Sequence, residues 1–186
     1  MHNPDIEWYT ASSLDEYKSL TKEFLRGQLK STLWHYGPLE DESKTLTADL
    51  QFINTLGLIP TNSQPGVFWN PLHRLQQRAY IEGFTTLEKA DRIAQKARKY
   101  SLTVHTKQNS NFATDVYRTP ITRSRPGRTY SYGPKDSVQS TLYGLQKKSF
   151  MSESWSVLES AVTVSIMDLN WGSNRMWKHV IEMLKD

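Results

Sequence analysis

The polar run GLIPTNSQPG, Gly57 to Gly66, stands out as a place where chemistry could be done. Asn62, Ser63 and Gln64 each donate and accept hydrogen bonds, so together they could read a ribose, a carboxylate or an amino group. The same residues also suit an Asx or Ser turn that bonds its own backbone, at the point where a strand runs out. Carboxylates that could meet in space as acid and base are Glu40 with Glu42, and Asp168 with Glu82. A third concentration is basic. Arg118, Arg123, Arg125, Arg128 and Lys135 fall in an acid-free stretch punctuated by Pro120, Pro126, Gly127, Gly133 and Pro134. This reads as a loop, either simply solvated or contacting an anion through Arg123, Arg125 and Arg128.

Other chemistries lack their signatures. His2, His35, His73, His105 and His179 are scattered without a metal-ligand spacing, and no metal is expected. There is no GxSxG elbow, no GxxxxGKS/T phosphate loop and no GxGxxG after a strand. The chain has no cysteine, which removes disulfides, thiolate metal sites and cysteine nucleophiles and fits a reducing compartment. A net charge of +4 and a pI near 9.2 are mildly basic, a balance that many proteins without a nucleic-acid role share, so a nucleic-acid partner is not expected. No apolar run approaches the roughly 20 residues of a membrane span, and the start MHNPDIEWYT has no signal character. The expectation is a cytoplasmic chain with no membrane partner.

These groups need elements to hold them. With 186 residues, 37% of them apolar, the chain can bury one sizeable core, and residues 1–186 read as a single domain. Ser13 with Glu16 forms a capping box, after which Leu14, Tyr17, Leu20 and Phe24 recur at helical spacing as far as Gly27. A second helix starts near Glu42, carries Leu46, Leu50 and Ile53, and stops at Gly57. Thr85 with Glu88 opens a third, with Leu87, Ala90, Ala94 and Ala97 facing inward. Arg78 to Phe84, Leu102 to His105, and Val162 to Ile166 read as strands, and Trp177, Val180, Ile181 and Leu184 as a closing helix. The stretch from Val138 to Glu159 reads as helix. The fold class is therefore α+β, a mixed β-sheet core surrounded by about five helices.

Several of these segments, in this order, resemble a known family. PLEDES, Pro38 to Ser43, then a helix, then PTNSQPG, Pro60 to Gly66, then QRAYIEGF, Gln77 to Phe84, is similar to the regulatory domain of eukaryotic methylenetetrahydrofolate reductase. That family has a PL..E(T/S) helix start, a (T)xNSQP segment at the same distance and a QxAYxEFF strand. VSIMDLNW, Val164 to Trp171, followed by SNRMWKHVIEMLKD, resembles the family's closing strand, turn and Trp-bearing helix, and FLRGQL, Phe24 to Leu29, sits where the family has an FLxYLxG-like helix. The resemblance runs over about residues 33–104 and 161–186.

The resemblance implies a binding site for S-adenosylmethionine, an allosteric inhibitor in that family, with S-adenosylhomocysteine competing. The family's acidic and hydroxyl ligands fall on Glu42, Ser43 and Ser63, with Asn62 and Gln64 beside them. Pro60 stands where a ligand threonine is found, so Thr61 is the candidate to replace it; Thr119, Thr122 and Thr129 are candidates for the remaining hydroxyls. The reductase barrel and its flavin site have no counterpart here, so no reductase activity and no flavin are expected. The reading is a sensor or sequestering domain for an adenosyl ligand, with a protein partner or a second copy of the chain where regulation demands one. An enzyme that transforms the adenosyl ligand, or an anion or nucleic-acid binder acting through residues 118–135, are the alternatives.

Overall fold

The computed structural model describes residues 6–70, 75–108, 119–124, 129–132 and 150–185. In chain order the elements are α1 (Glu7–Thr10), α2 (Leu14–Leu25), α3 (Asp41–Lys44), α4 (Thr47–Thr55), β1 (Ile59–Gln64), β2 (Val67–Asn70), β3 (Leu75–Gln77) and β4 (Tyr80–Thr85). Then follow α5 (Leu87–Ala97), a 3-10 turn, β5 (Thr103–Gln108), β6 (Thr119–Ser124), β7 (Thr129–Tyr132), α6 (Ser152–Ser160), β8 (Val162–Met167) and α7 (Met176–Leu184). The class is α+β, with seven helices, two of them single turns, and two antiparallel sheets among the described residues. One sheet has the order β1-β4-β8-β5, the other β2-β3-β6-β7.

The central strands β4 and β8 are buried along their whole length, because both of their faces are covered. In register they bring Ile81 against Ile166 and Gly83 against Val164, and β5 adds Val104 beside Ile166. On the opposite face Phe84 meets Tyr17 of α2 and Trp34, with ring centroids 5.8 and 5.1 Å apart. These aromatic contacts fix α2 over β4. Among the described residues strand β1 is an edge, paired only with β4 within its sheet.

The helix boundaries follow local chemistry, with three departures from the sequence reading. Ser13 caps α2 by accepting from the Glu16 amide, but the Glu16 carboxylate returns to the Ser12 amide at 2.6 Å rather than to Ser13. Thr86, not Thr85, caps α5, accepting from Lys89 N at 3.3 Å. Thr85 is the last residue of β4, where its hydroxyl donates to Gly57 O at 2.6 Å. Leu87 is consequently exposed, and Ile93 fills the core beside Ala90 and Ala97. Thirdly, the helix expected from Glu42 to Gly57 is two: α3 ends after one turn, and α4 continues to a left-handed stop at Gly57, φ +93°.

Two expected irregular stretches are extended instead. PTNSQ is strand β1, and the described part of the basic stretch is the β6–β7 hairpin, with Arg123 opposite Thr129. Arg118, Arg125, Arg128 and Lys135 lie outside the described residues, as do residues 138–149 of the expected helix, of which α6 accounts for the end. Among the described residues no helix is long and apolar enough to cross a membrane.

Candidate functional site

A cleft of about 120 Å³ opens where α2, the approach to α3, and β1 converge. Thr21, Phe24 and Leu25 come from α2, Glu40, Glu42 and Ser43 from the start of α3, Pro60, Thr61, Asn62 and Ser63 from β1, and Tyr80 from β4. Four consecutive strand residues should alternate between faces, yet all four line the cleft. The register supplies the reason. Pro60 pairs with Gly83 and Asn62 with Glu82, so Thr61 is an extra residue, a β-bulge that re-aims the side chains around it. Gly83 allows the close approach: a Cβ there would stand 2.4 Å from Ile59 O. Pro60 and Gly83 face each other across the strands.

The hydroxyls are arranged in a chain. The Ser43 hydroxyl, buried, donates to Ser63 O at 3.1 Å and accepts from the Ser63 hydroxyl at 3.4 Å, which ties α3 to the edge strand. Thr61 Oγ1 donates to Glu82 O at 3.3 Å. Exposed Glu42 accepts from Gln77 Nε2 at 3.2 Å, so its carboxylate is oriented at the rim while remaining open to a further donor. Thr21 was not anticipated: its Oγ1 is buried in the wall with no hydrogen-bond partner among the described residues. A threonine within the apolar stripe of Tyr17, Leu20 and Phe24 was the available signal. A buried hydroxyl left unpaired is unfavourable by about 1–3 kcal/mol, which a polar ligand atom would relieve.

Charge in the cleft has one sign. Among the described residues Glu40 and Glu42 line it and no lysine or arginine does, although the chain as a whole carries +4. Burial pushes the Tyr80 hydroxyl far above its ordinary value, and the charges of Glu82 and Glu42 push it further, so the phenol stays a neutral donor. Glu82 itself is buried, accepting from Ser165 Oγ at 2.6 Å. Asp168, the partner suggested for it from sequence, is instead held by Ser173, Asn170 and Arg175.

Of the six residues expected at an adenosyl site, the structure brings Glu42, Ser43, Thr61, Asn62 and Ser63 to one cleft. Gln64 lies off it. Its amide donates to Arg78 O and Ile121 O and accepts from Thr122 Oγ1, so it joins the end of β1 to β6. Thr119 and Thr122 lie on β6 and do not line the cleft, and Thr129 is a residue of β7. Arg123 projects from β6 away from the cleft lining, its Nε donating to Gln76 Oε1 at 2.6 Å. Among the described residues no group of three His, Asp or Glu side chains is placed to hold a metal.

The bulged edge strand thus faces a helix start that presents a carboxylate and a hydroxyl. Residues 4–186 match the family described as Domain of unknown function (DUF6919), and the chain belongs to that family. It is also distantly similar to plant proteins: it is 29% identical over 107 residues to "Methylenetetrahydrofolate reductase (NADH) 1" of Arabidopsis thaliana, covering 50% of this chain and 18% of that protein. With "Probable methylenetetrahydrofolate reductase (NADH)" of Oryza sativa subsp. japonica it shares 26% identity over 153 residues, 75% of this chain and 23% of the other. The chain thus spans about a fifth of the length of these relatives.

Proposed function

We propose that the cleft binds S-adenosylmethionine or S-adenosylhomocysteine, and that the domain senses or sequesters this ligand, as the regulatory domain it resembles does for a reductase. The observation that carries this reading is the cleft's charge: two carboxylates, no lysine or arginine, and a set of hydroxyls, in a chain that is basic overall. Such a lining favours a ligand with an ammonium or sulfonium centre over an anionic one. At about 120 Å³ the cleft suits the amino-acid end of the ligand, being smaller than the roughly 300–1,000 Å³ of pockets that enclose drug-sized molecules. A wider groove of about 780 Å³ continues past Phe24, Leu25 and Leu39 to exposed Tyr36, and the adenosine portion would lie there. Glu42 would offset the positive centre, and Ser43, Thr61 and Ser63 would exchange hydrogen bonds with its polar groups. Thr61, turned into the cleft by the bulge, would supply the hydroxyl that Pro60 lacks.

Calorimetric titration with each ligand tests the reading. Saturable binding is expected, tighter for the cationic S-adenosylmethionine, with intact ligand recovered afterwards by mass spectrometry. Absence of heat with both ligands at high micromolar concentration would overturn it, and new products would turn the binder into an enzyme.

A further inference from the structure

A second cluster lies on the other sheet, where two arginines share one indole. The guanidinium carbons of Arg78 and Arg123 stand 4.3 and 4.4 Å from the ring centroid of Trp171. Strand pairing brings the two arginines together. Gln76 lies opposite Arg123 and Gln77 opposite Thr122, and the Arg78 amide extends this ladder by donating to Ile121 O at 2.8 Å. Trp171 is delivered by the loop after β8. Gly172 N donates to Gln77 O at 2.9 Å, and Gly172, φ +78°, presses so closely on β2 that a Cβ would stand 2.3 Å from Phe68 Cα. Fully buried Asp168 fixes the loop, accepting from Asn170 N at 2.9 Å, Ser173 Oγ at 2.6 Å and Arg175 Nε at 3.1 Å. Its carboxyl stays below the ordinary range: burial would raise it, but these bonds together outweigh burial.

The charges in this cluster do not balance. Arg78 and Arg123 both lie over Trp171, and Asp168, whose charge acts on Arg78, is already bonded to Arg175. Among the described residues no carboxylate hydrogen-bonds to Arg78 or Arg123. Arg78 donates from Nη1 to Pro120 O at 2.8 Å, and its buried Nε has no partner among the described residues. Arg123 uses Nε on Gln76, which leaves the terminal N–H groups of its fork unused by the described residues. Like charges so close repel, and in a partly desolvated place the repulsion is felt more strongly than in water. A bound dianion would relieve it, and paired guanidinium forks match phosphate oxygens in geometry as well as charge.

We propose that Arg78 and Arg123, oriented by Trp171, form a binding site for a small phosphate or diphosphate anion, free or carried on a metabolite. Nucleic acid is the weaker fit, because single-strand binders offer aromatic faces to bases, whereas the Trp171 ring is already overlain by the two guanidinium groups. This site shares no lining residue with the cleft beside β1 and does not depend on what that cleft binds.

The probe is inorganic pyrophosphate, titrated calorimetrically at low ionic strength into the full chain, with adenosine diphosphate as a second arm. Saturable binding is expected, weakened roughly tenfold or more in Arg123→Gln, whose site on the exposed face of β6 leaves folding intact. Arg123→Lys, which keeps the charge and loses the fork, is expected to weaken it less. The double variant Arg125→Gln, Arg128→Gln is expected to bind as the parent does. Tighter binding of adenosine diphosphate with the same Arg123→Gln loss assigns the anion to a nucleotide carrier, and equal binding assigns it to the free anion. No saturable binding, an unchanged Arg123→Gln affinity, loss in the double variant alone, or capture of an oligothymidylate without pyrophosphate binding would each overturn the proposal.

Discussion

Beside β1, Glu40 and Glu42 face a wall of hydroxyls with no lysine or arginine in the lining, whereas at the other sheet two arginines share Trp171 with no carboxylate bonded to either, among the described residues. Both places are built by a glycine that lets two backbones approach, Gly83 under β1 and Gly172 against β2. The surroundings they create have opposite sign. A net charge of +4 therefore says little about which ligands the molecule attracts, because the local inventory of side chains decides that.

Substituting the glycines is the strongest way to break the comparison. Gly172→Ala adds a Cβ 2.3 Å from Phe68 Cα in a left-handed conformation that disfavours it, and should destabilise the fold by about 2–5 kcal/mol, a melting temperature lower by roughly 10 °C. Gly83→Ala should be destabilising by about 1–3 kcal/mol through its contact with Ile59 O. Thermal scans followed by titration below the transition should show Gly172→Ala losing phosphate binding and keeping adenosyl binding, with Gly83→Ala doing the reverse. Equal losses of both ligands in both variants would mean that the two regions act as one.

Asp168→Asn comes next, with an expected cost of about 2 kcal/mol, since it weakens a buried network whose Arg175 partner is half exposed. Because the folded carboxyl is held below its ordinary value, the stability it contributes is complete above about pH 4 and is lost as the pH falls through the folded value. Melting temperature plotted against pH should fall more steeply below pH 4 in the parent than in the variant.

The sign of the cleft can be sharpened without touching the fold. Glu42→Gln, at an exposed rim position, should weaken S-adenosylmethionine about tenfold and S-adenosylhomocysteine by less, measured by calorimetry at matched salt. The smallest effect expected is for Thr61→Ala, a loss of about threefold in affinity for either ligand, as one neutral hydrogen bond is removed.

What could be read beforehand was whatever depends on near neighbours. The stop at Gly57, the cap at Ser13 and the strand at Val162 to Ile166 are local, and all three stand in the structure, although β8 is buried on both faces rather than on one. The cap of α5 was displaced by one residue because Thr85 and Thr86 offer the same hydroxyl, and only the carbonyl of Gly57 decides between them. PTNSQ reads as a turn by composition, since proline, asparagine and serine are poor strand formers, and β4 overrides that preference by pairing with it. Thr21 and the arginine pair were out of reach for a different reason: each acquires its meaning from residues remote in the chain that only folding brings near.

Pro60 has a consequence beyond ligand chemistry. An edge strand is open to pairing with any stray chain, and β1 occupies the edge of a largely buried sheet. A residue with no amide hydrogen, set beside a bulge and followed by a carbonyl already taken by Ser43, makes β1 a poor template for a further strand. The same proline that lines the cleft without offering it a hydroxyl also guards the protein against sticking to itself.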